Sequence, residues 1–171
     1  MTECARPSST VIPAKAGIHS AAGLWPQGSI ALNRPAMDIS HLDISEAAAA
    51  ASLWEETGLV RAWNDPLADI AAALACPTAT ILAARDGGRL IGTIMAGYDG
   101  HRGWLYYVAC AADQRRTGLG RALVTAAEQW LADQGARVIR LMVRAENEAV
   151  TGFYKALGYE DGEMIVMGKR L

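Results

Sequence analysis

The chain has 171 residues, of which 51% are hydrophobic and 20% charged. This is the composition of a soluble globular protein, long enough to bury one core, too short for two domains of ordinary size, and without the run of about 18 apolar residues that a membrane span needs. Lys and Arg total 16 against 18 Asp and Glu, a formal net charge of −2, so the chain as a whole offers no basic footprint for nucleic acid.

Residues 1–36 are rich in Ser, Gly, Pro and Ala, contain Glu3 as their one acidic residue, and keep no period of 2 or 3.6. Such a segment is expected to form an unstructured tail. Its stretch Val11 to His19 is similar to peptides translated from bacterial intergenic repeats, which would make Met37 the natural start. Lys15, His19 and Pro26 interrupt any apolar stretch long enough for a secretion signal. The three cysteines, Cys4, Cys76 and Cys110, are odd in number and far apart, with no CxxC pair. That spacing argues against a disulfide framework or a zinc site and for a reducing, cytoplasmic setting, with Cys76 and Cys110 as small buried hydrophobes.

From Met37 the pattern becomes regular. A short apolar alternation (Ile39, Leu42) leads to Ser45, a candidate N-cap for an Ala-rich helix that stops at Gly58. Asn64-Asp65-Pro66 opens a second helix on Leu67, Ile70, Ala71 and Leu74, ended by Pro77. Thr78–Arg85 and Arg89–Tyr98 read as a hairpin across Asp86-Gly87-Gly88. After the turn Asp99–Gly103 comes a wholly apolar and aromatic strand, Trp104–Cys110, expected in the sheet centre with both faces buried. Leu119, Leu123, Ala127, Trp130 and Leu131 mark one stripe of a long helix closed by Gly135. A strand over Val138–Val143, a short helix from about Glu148 to Leu157 and a last strand over Glu163–Lys169 complete the order β, α, α, β, β, β, α, β, α, β. Such alternation predicts an α/β domain with a mixed sheet covered by helices.

The stretch with the most chemistry is Asp113-Gln-Arg-Arg-Thr-Gly-Leu-Gly-Arg-Ala-Leu123. It is a basic, glycine-bearing turn between a buried strand and the start of a long helix. A turn there aims backbone N–H groups outward at the positive end of the helix dipole. Gly118 and Gly120 let the backbone approach a bulky anion, and Arg115, Arg116 and Arg121 add formal charge. A pyrophosphate is the expected ligand. The dinucleotide fingerprint needs a small residue where Leu123 stands, and the phosphate loop needs a Lys that is missing, so both fail.

What fits is the pattern R/Q-x-x-G-x-G/A, met by Arg115, Gly118 and Gly120, and here the chain resembles the GCN5-related N-acetyltransferases. A second segment, Asn147-Glu-Ala-Val-Thr-Gly-Phe-Tyr-Lys-Ala-Leu-Gly-Tyr159, looks like that family's N-x-x-A-x-x-F-Y-x-x-x-G-F. The resemblance covers about Met37 to Leu171, and Trp63–Pro66, Tyr98–Gly103 and Gly168–Leu171 are similar to the YpeA-type bacterial branch. It implies one acetyltransferase domain over 37–171, with a mixed, mostly antiparallel sheet of six to seven strands, about four helices and splayed central strands. It implies acetyl-coenzyme A as co-substrate, no metal, and an amine of a small molecule or a protein as acceptor.

Carried over by position, the resemblance makes Arg115, Arg116, Thr117, Gly118, Leu119, Gly120 and Arg121 the pyrophosphate cradle. Val108 and Cys110 would meet pantetheine through their backbone, opposite Leu141 to Arg144, Asn147 would help hold the cofactor arm, and Tyr154 would be the general acid. Trp63, Asn64, Asp65, Asp99, His101 and Tyr106 are the candidate acceptor-side residues, near Trp54, Arg61 and Arg102. Tyr106, Tyr107, Asp99, His101 and Glu146 are candidates for the base that an alkylammonium acceptor requires. The competing reading is a non-catalytic acyl-coenzyme A sensor. The last strand also offers an edge for a homodimer.

Overall fold

The computed structural model describes residues 38–162 and 165–169. The expected tail over 1–36, the start at Met37 and Cys4 lie outside the described residues. Within them the chain forms a five-stranded sheet in the order β1-β2-β3-β4-β5. The strands are β1 (Asp38–His41), β2 (Ala79–Asp86), β3 (Arg89–Tyr98), β4 (Gly103–Cys110) and β5 (Ile139–Leu141). The helices are α1 (Ala47–Glu56), α2 (Pro66–Ala75), α3 (Leu119–Asp133) and α4 (Glu148–Lys155), with 3₁₀ turns at Ile44–Glu46 and Ala112–Gln114. Strands β1 to β4 are antiparallel, and β5 joins β4 in parallel after the crossover through α3.

Local chemistry sets the boundaries. Gly87 and Gly88 take φ of +57° and +83° at the β2–β3 hairpin, as a tight two-residue turn requires. The first helical segment starts from Asp43, not Ser45: the Asp43 carboxylate accepts from the Ser45 amide at 2.8 Å, and Glu46 reaches back to the Asp43 amide at 3.1 Å. That reciprocal pair satisfies two otherwise orphaned N–H groups, which a lone serine could not. Asp65 caps α2 through the amides of Leu67 and Ala68, with Pro66 in the first turn where no N–H is needed.

Alternation along β2 divides the core between the two faces of the sheet. Ile81 and Ala83 face α1 and α2 with Leu53, Trp54 and Ile70. Leu82 and Ala84 face α3 and α4 with Ile94, Leu119, Leu123 and Leu131. Helix α3 lies close against bare backbone. A Cβ on Gly92 would stand 2.9 Å from Leu123, and one on Gly103 would stand 2.8 Å from Leu131.

Four expectations change. The sheet has five strands among the described residues where six to seven were expected: 165–169 is not in a strand and exposes Ile165 and Met167 by 91% each, and 163–164 lies outside the described residues. The strand expected over Val138–Val143 shortens to three residues, because β5 has a partner only along Gly103–Leu105. Strand β4 is covered on both faces only from Tyr107 to Cys110. No helix covers Trp104 and Tyr106, and Tyr106 is 38% exposed. Cys76 is exposed, because it caps the C-terminal end of α2 at the surface, while Cys110 is half-buried.

Truncating Leu123, wholly buried at the centre of the α3 interface, is expected to cost about 2–5 kcal/mol. Ile165→Ala on the exposed segment should stay within about 0.5 kcal/mol of the parent. Urea unfolding of the two variants beside the parent checks both.

Candidate active site

The glycine turn is built by two left-handed residues. After the 3₁₀ turn Ala112–Gln114, Arg115 is extended, Arg116 has φ +62° and Gly118 has φ +93°. The Thr117 hydroxyl donates to the Gln114 carbonyl at 2.7 Å and closes the loop. Gly118 is the N-cap of α3, and no side chain caps that start. By contrast, Asp43 caps the 3₁₀ turn that runs into α1, and Asp65 and Asn147 cap α2 and α4 with their side chains. The first-turn amides of α3, from Leu119 to Arg121, have no acceptor of their own in the helix. An anion bound there would supply what a cap supplies elsewhere, and successive amides around left-handed residues form such a concavity.

The two glycines serve different ends. Around Gly118 nothing lies within 4 Å of a hypothetical Cβ, so its role is the positive φ and an open approach. A Cβ on Gly120 would stand 3.3 Å from the Phe153 ring and 3.8 Å from Cys110 Sγ. The missing side chain of Gly120 thus also lets α3, α4 and the end of β4 meet. Arg115, Arg116 and Arg121 are all exposed, and Arg121 reaches the Ala156 carbonyl at 3.4 Å.

Strands β4 and β5 pair only along Gly103–Leu105 against Ile139–Leu141. Beyond Leu105, β4 has no β5 partner, and Met142 to Arg144 belong to no strand. The two strands thus part, leaving Val108 and Cys110 on a free stretch of backbone. Below the gap, α4 starts at Asn147, whose side chain accepts from the Val150 amide at 3.4 Å. Tyr154 packs edge-on against Phe153 at 5.0 Å and Tyr159 at 5.5 Å. It is 7% exposed.

The Tyr154 hydroxyl makes no hydrogen bond with the described residues. Burial, with Cys110 beside it, pushes its pKa up to about 12, so the phenol keeps its proton at neutral pH. It is then a hydrogen-bond donor to a centre gaining negative charge. Full transfer to a thiolate of ordinary pKa, about 8.5, runs about a thousandfold against it. The Cys110 thiol is also pushed up by burial, against a smaller opposing effect of Arg115, which keeps it protonated and a poor nucleophile.

On the acceptor side, Asp99 accepts from the amides of His101 at 2.8 Å and Arg102 at 2.6 Å, and from Trp104 Nε1 at 2.9 Å. These donors hold its carboxyl down at about 2, so it is too weak a base to take a proton from an amine. Its role is to close the β3–β4 turn and fix Trp104, which stacks on Tyr106 at 6.4 Å between ring centres. Tyr106 is likewise pushed up, mainly by burial, and stays protonated. Trp54 is wholly buried, stacked on Tyr107. Trp63 is 65% exposed, Asn64 reaches Asp69 at 3.5 Å, and His101 and Glu146 are exposed. The sequence did not single out Trp104, which the structure joins to the candidate residues Asp99 and Tyr106. The signal was there, since Trp104 and Tyr106 are two apart on one strand and share a face.

The model of the Acetyltransferase (GNAT) family matches residues 47–159. An acetyltransferase of Pectobacterium atrosepticum is 43% identical over 123 residues, 72% of this chain and 87% of the relative. One of Yersinia pestis is 42% identical over 119 residues, covering 70% and 84% of the two chains. Among solved structures, the aminoglycoside N-acetyltransferase AAC(6')-Iy in complex with CoA superposes with a TM-score of 0.69 at 21% identity, over 86% of this chain and 99% of that one. The 6'-N-acetyltransferase AAC(6')-IG from Acinetobacter haemolyticus gives 0.66 at 18% identity, over 79% and 99%. The chain belongs to the GNAT family of acetyltransferases, and the fold described above is the fold of that family. It is an N-acetyltransferase whose acetyl donor is acetyl-coenzyme A.

The hydrogen bonds to Asp99 favour its charged form, so it stabilises the fold fully above the unfolded pKa of about 3.9 and loses that contribution as pH falls through about 2. The gap in melting temperature between the parent and Asp99→Asn is expected to be constant from about pH 5 to 8 and to close between about pH 4 and 2. Calorimetric scans across that range check it.

Proposed function

We propose that the chain moves the acetyl group to a primary amine by direct attack in a ternary complex, with the α3 turn holding the pyrophosphate and the β4–β5 gap taking the acyl arm. The observation that carries this is the uncapped start of α3, with its two left-handed residues, beside Cys110 at the far end of the β4 stretch that β5 leaves unpaired. Acetyl-coenzyme A supplies the activated acyl group as a thioester. The amides of Leu119, Gly120 and Arg121 would face its pyrophosphate, with Arg115, Arg116 and Arg121 adding charge from the rim and Thr117 fixing the loop. The backbone of Val108 and Cys110 would line the acyl arm. Asn147 fixes the start of α4 and so the height of Tyr154, whose protonated hydroxyl would stabilise charge on the departing sulfur.

Cys110 is a wall and not a nucleophile, because its thiol stays protonated. Positioning supplies most of the rate in such a site, and the Tyr154 hydrogen bond adds a smaller factor. The acceptor amine is placed against Trp104 and Tyr106, with Trp63, Asn64, Asp65, Asp99 and His101 around it as rim and scaffold. Asp65 and Asp99 act there through the turns they close. A protonated Tyr154 at the gap favours a catalytic role over a sensor that only binds the acyl donor. A domain over 37–171 acting in the reducing cytoplasm suits the exposed, free thiol of Cys76. The exposed run Ile165, Val166 and Met167 supports a homodimer through that segment.

Calorimetric titration of the full chain with acetyl-coenzyme A should give saturable binding that Gly118→Trp abolishes. Tyr154→Phe should bind with the parent's affinity and release coenzyme A to a panel of amines about 10²–10³ times more slowly. Cys110→Ala should keep transfer. Loss of transfer in Cys110→Ala with donor binding intact would mean an acetyl-cysteine route, and no binding by the folded parent would remove the acetyltransferase mechanism.

A further inference from the structure

Strand β4 contains one strained residue. Thr93 of β3 faces Ala109 and Met95 faces Tyr106, so Ile94 alone faces both Tyr107 and Val108, which is a β-bulge. Tyr107 sits there with φ +47°. A bulky residue in the left-handed region costs about 1–2 kcal/mol and persists only where its surroundings over-determine it.

Three elements hold it. The ring of Tyr107 lies flat on Trp54 of α1, with centroids 3.9 Å apart and planes 8° apart. Its hydroxyl donates to Asp69 Oδ2 of α2 at 2.6 Å. Trp54 Nε1 donates to the hydroxyl of Thr93 at 2.8 Å, and that hydroxyl in turn donates to the Tyr107 carbonyl at 3.4 Å. Trp54 and Thr93 are wholly buried, so the frame is rigid. Asn64, in the loop ahead of α2, also reaches Asp69. Tyr107 packs against the core under α1 and α2, but that packing does not need its hydroxyl, since a phenylalanine ring would fill the same space.

The bulge changes the parity of the strand. Leu105 belongs with the core under α3, and strict alternation would turn Tyr107 and Ala109 to that face as well. Instead Val108 and Cys110 pack with the α3 core, while Tyr107 and Ala109 pack with the core under α1 and α2. The bulge therefore decides which way the free stretch of β4 presents itself to the gap left by β5.

We infer that Asp69 and Tyr107 form a positioning pair: by clamping the bulge from α2, they aim the backbone at Val108 toward the thioester carbonyl of the bound donor. The inference rests on the donor placement proposed above. It also ties the loop 63–66, on the acceptor side, to the donor side through Asn64 and Asp69. Asp69 and Tyr107 touch no reacting atom. They act through the β4 backbone.

The test uses acetyl-coenzyme A labelled with carbon-13 at the thioester carbonyl, bound to the full chain and observed by NMR, beside calorimetric titration with coenzyme A. In the parent the bound carbonyl resonance should move downfield of the free donor. Tyr107→Phe, which keeps the ring and its stacking, and Asp69→Ala should return it at least halfway to the free position. Coenzyme A affinity should stay within about threefold in both. Asp69→Asn, which keeps an acceptor oxygen, should restore the parent's resonance. An unmoved resonance in Tyr107→Phe and Asp69→Ala would overturn the inference. So would coenzyme A affinity lost together with the resonance, which would make the pair merely structural. Asp69→Asn failing as fully as Asp69→Ala would also overturn it, because charge and not position would then be at work. A parent that binds no donor fails the proposed function itself, whereas a parent that binds with an unshifted carbonyl fails this inference alone.

Discussion

The seating of α3 directly on the backbone of β3 and β4 is the constraint from which the rest of the molecule follows. Gly92 and Gly103 have no side chain to hold the helix off, and Leu123 and Leu131 fill the space where a Cβ would stand. Bringing the helix this close places its first turn beside the end of β4. Gly120 then does the same for α4, receiving Phe153 where a larger residue would push it away. The position of Tyr154, the next residue, is a consequence of these three contacts in series. A chain with the same motif on a helix held farther off would have the turn and the tyrosine but not their alignment.

The electrostatics of the site rest on where protons stay. Tyr154, Cys110, Tyr106 and Tyr107 are all pushed toward their protonated forms, principally by burial, and Asp99 is held ionised by three donors. At neutral pH the described site therefore keeps Tyr154 as a protonated donor beside Cys110 and has a carboxylate already committed to its turn. That pattern suits stabilising negative charge on a leaving group. Deprotonation of the amine falls to groups in contact with water, because the buried ones already hold their protons and Asp99 is too weak a base. The α3 start follows the same logic, since its uncapped amides favour an anion where α2 and α4 carry the oxygen of Asp65 and Asn147.

The strained bulge in β4 shows how far the two faces of the sheet are coupled. Tyr107 keeps an unfavourable backbone conformation because Trp54, Thr93 and Asp69 from three different elements agree on it. A local preference would never produce it. Aromatic stacking, a phenol to carboxylate hydrogen bond and a buried indole to hydroxyl bond each contribute a modest amount, and together they exceed the strain.

The sequence alone determined the features that depend on a few adjacent residues. The glycine turn ahead of α3, the Asp86–Gly88 hairpin, the order of the elements as far as α4 and the helix from about Glu148 were all legible, because φ-tolerant glycines, caps and helical spacing are local signals. Legibility failed wherever the outcome depended on what packs across the sheet. An apolar strand such as Trp104–Cys110 looks buried on both sides until the absence of a covering helix exposes Tyr106. Cys76 looks like core until it ends a helix at the surface. Asp99 looks like a base until its three donors are counted. The pairing of Asp69 with Tyr107 spans 38 residues and leaves no period or motif in the chain. Those assignments belong to the tertiary structure, because burial, proton affinity and strain are set by neighbours that only folding brings together.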